Sequence, residues 1–248
     1  MRRVLAFAFL LISLPAGAMV GGAAAPPDAI ARSVVLIVGS RGNSCSGVAL
    51  ARDLILTAAH CVLPGADYKI VEFDAARQPH LRDIARIIAH PQFALRSLLA
   101  HRATADVALL RLAAPLADVE PASLGSAMAV VPGDTLMVAG YGVAVRGDGK
   151  TGGTVRGASL IATGKPGNLQ IRLTDPATGG EKPGLGACTG DSGGPVFAMT
   201  PAPAVVGVVS WSTGPGNSAG CGGLTGVTPL FLYRNWITDT GKILRNQL

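Results

Sequence analysis

An all-β protein that ends in one helix is what this sequence predicts, and three observations predict it. Short apolar runs rich in Val, Ile and Leu recur along the chain, among them "SVVLIVGS", "DLILTAA", "DIARIIAH", "DVALLRL", "DTLMVAGYG" and "AVVGVVSW". Gly, Pro, Asp and Asn separate them, with glycine alone filling 33 of 248 positions. Runs of this length between turn residues are the pattern of a sandwich or barrel. Helical spacing is missing until "PLFLYRNWITDTGKIL" (Pro229–Leu244), where Leu230, Tyr233, Trp236 and Ile237 recur three and four apart behind a proline.

Taken in order, residues 1–18 stand apart from the fold. Arg2 and Arg3 give a positive start, Val4–Leu14 is an apolar run, and Ala16-Gly17-Ala18 closes it with small residues. That is the make-up of a secretory signal peptide cut after Ala18. Eleven apolar residues are too few for a bilayer that needs about 20, so no membrane anchor is expected once the leader is gone. Residues 19–248 then form the working domain, and Val145–Gly186 reads as strands ("TVRGASLIA", "NLQIRLT") joined by the loops "RGDGKTGG" and "DPATGGEKPGLG".

Charge and cysteine content narrow the class. Lys+Arg 21 against Asp+Glu 15 gives +6, and loss of Arg2 and Arg3 with the leader leaves +4. The arginines are scattered without basic runs or interleaved aromatics, which argues against a nucleic-acid partner. Four cysteines, Cys45, Cys61, Cys188 and Cys221, suggest two disulfides in an oxidising compartment, with three connectivities open. No C-x-x-C pair exists to suggest a metal, and none is expected.

Three motifs carry chemistry: "TAAHC" with His60, "ADVALLRL" with Asp106 at the head of an apolar run, and "ACTGDSGGP" with Ser192. A serine hydroxyl is a poor nucleophile at neutral pH and needs a base, best a histidine held in one tautomer by a carboxylate. Glycines beside the serine allow a sharp turn whose amides, here those of Gly190 and Ser192, can face a developing oxyanion. Taken singly, His60 reads as structural and Asp106 as a strand-edge residue; the three together in the order His, Asp, Ser do not. "GDSGG" also fits the nucleophile elbow of α/β-hydrolases, but those enzymes place the histidine after the serine, and the last histidine here is His101.

"TAAHC", "DVALL", "GDSGGP" and "SW" (Ser210-Trp211), with "GYG" (Gly140–Gly142) and "HPQF" (His90–Phe93), together resemble the chymotrypsin/trypsin family of serine endopeptidases over nearly the whole chain after residue 18. The resemblance implies two antiparallel six-stranded β-barrels, roughly 19–125 and 126–228, followed by the helix at about 229–244. It implies His60 as general base then acid, Asp106 as its orienting carboxylate, Ser192 as nucleophile, and Gly190 and Ser192 N–H as the oxyanion hole. It pairs Cys45 with Cys61 and Cys188 with Cys221. The remaining histidines, His80, His90 and His101, are assigned to loops and turns without a catalytic role.

Two further expectations come from the resemblance. Members of the trypsin branch free an N-terminus such as Ile-Val-Gly-Gly, whose ammonium pairs with the Asp beside the nucleophile. A cut after Ala18 leaves Met19-Val20-Gly21-Gly22, which makes Met19 and Asp191 the activation pair. A cut after Ala25 is disfavoured by Pro26 and Pro27. The primary pocket falls at Gly186, Ser210, Trp211, Ser212 and Gly226. With no carboxylate between Gly184 and Gly190, it favours an uncharged P1 side chain over Arg or Lys.

The expected protein is thus a monomeric endopeptidase, secreted or periplasmic, that takes protein or peptide substrates, with a proteinaceous inhibitor as a further partner. It needs no cofactor; "YKIVEFDAARQ" has too few ordered carboxylates for calcium. The competing readings are a catalytically silent binding protein on the same fold and a purely structural secreted domain. Both leave the intact triad unexplained.

Overall fold

The computed structural model describes residues 19–74, 76–126, 130–164 and 168–246. Six strands make the first barrel: β1 (Val34–Gly39), β2 (Ser44–Ala51), β3 (Leu54–Thr57), β4 (Tyr68–Phe73), β5 (Pro79–Ala89) and β6 (Ala108–Leu112). They close in the order β1-β2-β3-β6-β5-β4, every pairing antiparallel. The later strands are β7 (Ser123–Leu124), β8 (Thr135–Gly140), β9 (Arg156–Ala162), β10 (Ile171–Thr174), β11 (Pro195–Ala198), β12 (Ala204–Ser212) and β13 (Leu224–Pro229). Here β11-β8-β9-β10-β13-β12 close on themselves through the β11–β12 pairing, and two-residue β7 lies parallel to the start of β12. Two six-stranded antiparallel barrels are therefore present, as the resemblance implied.

Alternation along β6 explains why four of its five residues are apolar. Ala108, Leu110 and Leu112 face the interior of the first barrel with Ile37, Ile55 and Ile70. Leu109 points the other way, into a cluster with Leu54, Leu56, Phe197, Val205 and Val208 that joins the two barrels. A strand buried on both faces leaves little room for polar residues, and Arg111 is held there by its ion pair with Asp53. The second barrel has its own core of Leu136, Val138, Leu160, Leu173, Val209 and Val227, and Met19 sits in it.

Among the described residues, three α-helices accompany the barrels: α1 (Asp28–Ala31), α2 (Leu95–Leu99) and α3 (Arg234–Asn246). The last begins five residues beyond Pro229, where the periodicity starts. Pro229 is still paired with Gly207 as the last residue of β13, and Leu230–Leu232 form a single 3-10 turn. Ile237 and Leu244 of α3 then cover the cluster between the barrels. No helix among the described residues is long and apolar enough to cross a membrane. The leader and its cut site fall on residues 1–18, outside the described residues.

Candidate active site

His60 and Asp106 both come from the first barrel. His60 lies in a 3-10 turn (Ala59–Val62) directly after β3, and Asp106 lies two residues before β6, which pairs with β3. The Asp106 carboxylate is wholly buried yet has three donors. Its Oδ1 accepts the His60 backbone N–H at 3.0 Å, and its Oδ2 accepts His60 Nδ1 at 2.8 Å and Ser210 Oγ at 2.5 Å. A buried carboxylate needs such partners. With Nδ1–H committed to Asp106, the unprotonated nitrogen of the neutral ring is Nε2.

Ser192 arrives from the second barrel on the turn before β11. Its carbonyl accepts the Ser46 N–H at 2.8 Å, across the seam between the barrels. The Cys61 sulfur marks the meeting point, 3.5 Å from the Ser192 carbonyl oxygen and 3.8 Å from His60 Nε2. Among the described residues, Ser192 Oγ and His60 Nε2 are not hydrogen-bonded to each other. Two amides of the same turn, Gly190 N–H and Ser192 N–H, are also without a partner among the described residues, whereas Asp191 N–H and Gly193 N–H are taken by Cys188 and Val209 carbonyls. Gly193 has φ +77°, and a side chain there would strike Thr57 Oγ1 and the Ser46 carbonyl, so only glycine lets the turn dock on the first barrel.

Both disulfides form with the pairing the resemblance implied, Cys45–Cys61 and Cys188–Cys221. The first ties β2 to the residue after His60; the second ties the segment before Ser192 to the loop before β13. Cys45, His60 and Cys61 cluster closely enough to suggest a metal site, but both sulfurs are consumed by the disulfide.

Asp191 is completely buried, with Oδ1 on Gly142 N–H and Oδ2 on Cys188 N–H, each at 2.9 Å. Burial pushes its carboxyl up to about 7, against the opposing pull of those two amides and of Arg156. Side chains at Gly140 or Gly142 would run into this carboxylate, which accounts for "GYG". Met19 is fully buried too, and Val20 pairs with Gly186 in an isolated antiparallel bridge. Residues 19–24 are thus laid into the second barrel, with Ala24 bridging Gly157.

The pocket residues divide. A Cβ added to Gly186 would lie 3.2 Å from Gly222 Cα and 3.5 Å from Thr225 Oγ1, and Thr225 Oγ1 also accepts the Ala187 N–H at 3.0 Å. Gly222 and Thr225 therefore lie against Gly186. Ser210 is occupied by Asp106, and Ser212 Oγ donates to the Gly220 carbonyl at 3.4 Å. Gly226 pairs with Trp211, whose indole lies across its Cα. His101, assigned no role from sequence, stacks on that indole with ring centres 4.4 Å apart and planes 8° from parallel. Gln170 links the two, its amide oxygen facing Trp211 Nε1 at 2.9 Å and its amide nitrogen facing the His101 carbonyl at 3.3 Å. Thr225, Gly222, Gln170 and the stacking role of His101 carry no motif, because each depends on how distant loops meet.

Two barrels that bring a buried Asp–His pair against a glycine-flanked serine define the two-barrel serine hydrolases as a class. The trypsin family model matches residues 19–237. The chain is 31% identical over 240 residues to human serine protease 56, covering 90% of this chain and 38% of that protein. It is 29% identical to human kallikrein-15, covering 96% and 98%, and 29% identical to the vitellin-degrading protease of Bombyx mori, covering 82% and 78%. The chain belongs to the chymotrypsin/trypsin-like family of serine endopeptidases.

Proposed function

We propose that this endopeptidase is exported and cleaves polypeptides through an acyl-enzyme on Ser192. Ser192 Oγ attacks the scissile carbonyl carbon while His60 Nε2 takes its proton. The carbonyl oxygen, now an anion, is held by Gly190 and Ser192 N–H. Collapse breaks the C–N bond, and the leaving amine takes the proton back from His60. Water then repeats the sequence on the ester and frees Ser192. The observation that carries this reading is the 2.8 Å bond from His60 Nδ1 to Asp106 Oδ2, which leaves Nε2 as the free base.

The same reading extends to activation, location and specificity. Cleavage after Ala18 makes the Met19 nitrogen an ammonium, a cation to pair with the buried Asp191. The leader and the two disulfides favour an oxidising destination, secreted or periplasmic. Gly222 and Thr225 against Gly186, with no carboxylate, favour an uncharged and short P1 side chain. The whole of 19–248 then works as one peptidase domain with peptide substrates and protein inhibitors as partners.

Three measurements test it. Exported protein should begin at Met19 on N-terminal sequencing; active material with a different start would remove the activation step. A fluorophosphonate should label wild type and leave Ser192→Ala unlabelled. A peptide library varied at P1 should yield cleavage after small uncharged residues, and cleavage confined to Arg and Lys would overturn the pocket assignment.

A further inference from the structure

Ser46, on β2, is fully buried and commits every polar group it has. Its N–H donates to the Ser192 carbonyl at 2.8 Å, and its hydroxyl donates to the Gly190 carbonyl at 2.8 Å. The same oxygen accepts the Tyr141 N–H at 2.8 Å, and the Ser46 carbonyl accepts Thr57 Oγ1 at 2.7 Å. Thr57 ends β3, three residues before His60, and Cys45, next to Ser46, is bonded to Cys61, the residue after His60. One residue of the first barrel therefore touches both sides of the Asp191 turn and, through Thr57, the segment that carries the base.

We infer that Ser46 is a positioning residue whose hydroxyl fixes the Ser192 turn against the His60 segment, an inference that rests on the acyl-enzyme reading above. The two carbonyls it holds belong to the two residues whose amides face the oxyanion. Each anchored carbonyl lies one Cα beyond the amide of its own residue, so holding it limits the ψ of Gly190 and of Ser192 and with it the turn that aims both amides. A space-filling role would need only volume, and alanine nearly supplies that. The hydroxyl adds direction: it accepts from Tyr141, just beyond β8, and donates to Gly190, so the turn is held from both barrels at one oxygen. Nothing in the motif "TAAHC" or "GDSGGP" names this residue, because its partners are remote in sequence.

The test compares wild type, Ser46→Ala and Ser46→Thr, each starting at Met19 and with active sites counted by fluorophosphonate. Ser46→Ala removes both bonds of the hydroxyl, of which the one to the Gly190 carbonyl holds the turn, and loss of one such bond corresponds to about tenfold in rate. Ser46→Ala should lower kcat about tenfold per labelled site, with KM within about twofold. An acetyl-tripeptide boronic acid carrying the best P1 residue should bind more weakly by the same factor as kcat/KM falls. Ser46→Thr, which keeps the hydroxyl, should recover most of kcat. A lower melting temperature with unchanged kcat per site would overturn the inference and leave a structural serine. If Ser46→Ala does not fold, Thr57→Val decides: it should lower kcat with KM kept, and unchanged kcat would count against the positioning role. No hydrolysis by wild type itself would instead remove the acyl-enzyme reading underneath.

Discussion

Asp191→Asn in the uncut chain isolates the electrostatics of activation. Burial lifts the Asp191 carboxyl from its ordinary 3.8 to about 7, a rise of about three units. At about 1.4 kcal/mol per unit, ionising it inside the folded uncut chain costs on the order of 4 kcal/mol relative to the unfolded chain. Because the folded-state value is the higher one, that stability is fully present below about pH 4 and is lost as pH rises through about 7. For a chain this long, 4 kcal/mol corresponds to a fall of about 10 °C in melting temperature. The assay is a set of thermal melts between pH 4 and 8.5 on three proteins, all carrying Ser192→Ala to prevent self-cleavage: the uncut chain, the uncut chain with Asp191→Asn, and the chain starting at Met19. The first should lose stability across this window. The second should be less stable at low pH, since an amide cannot accept both the Gly142 and Cys188 N–H groups, and should lack most of the slope. The third should lack most of it as well, its ammonium holding the carboxylate charged. Equal slopes in all three would refute the reasoning.

Other outcomes follow from the same geometry. Asp106→Asn should cut kcat/KM by about 10⁴, because an amide in place of Oδ2 would favour the wrong His60 tautomer; loss below about a hundredfold on titrated enzyme would contradict this. Ser210→Ala removes one of three donors to Asp106 and should cost about tenfold in kcat with KM kept, as steady-state kinetics would read. Replacing Cys45 and Cys61 by serine opens a loop of 16 residues and should lower unfolding free energy by about 3 kcal/mol in urea titrations. Gly186→Asp should fail to create cleavage after Arg or Lys, since its Cβ would already sit 3.2 Å from Gly222 Cα; tryptic cutting by that variant would show a deeper slot.

What could be read from sequence, and what could not, divides along local and non-local lines. β1, β3, β6, β8 and β12 announce themselves because their Val, Ile and Leu are contiguous and buried. β2, "SCSGVALA", does not: half of it is small or polar, and it is a strand because β1 and β3 flank it. β13, "LTGVTP", hides behind a glycine that has to lie under Trp211 and a proline that ends the sheet. At the site, His60, Asp106 and Ser192 stand in recognisable motifs because local backbone shape is part of their chemistry. Gly226 was expected as a pocket wall; its neighbour Thr225, which no motif marks, takes the Ala187 N–H on its hydroxyl and lies against Gly186. His101 looked like a loop residue, and it is one; its stacking partner lies 110 positions away. Ser46 serves three segments at once, around Thr57, Tyr141 and Asp191, and no window along the chain contains them.

The bond from Ser210 on β12 to Asp106 beside β6 has a bearing on timing. A polypeptide emerging amino end first delivers its imidazole and carboxylate early, its hydroxyl much later, and the strand that caps the carboxylate after that. Copies still being synthesised are therefore harmless to one another. The blade is assembled only when nearly the whole chain has been handed over.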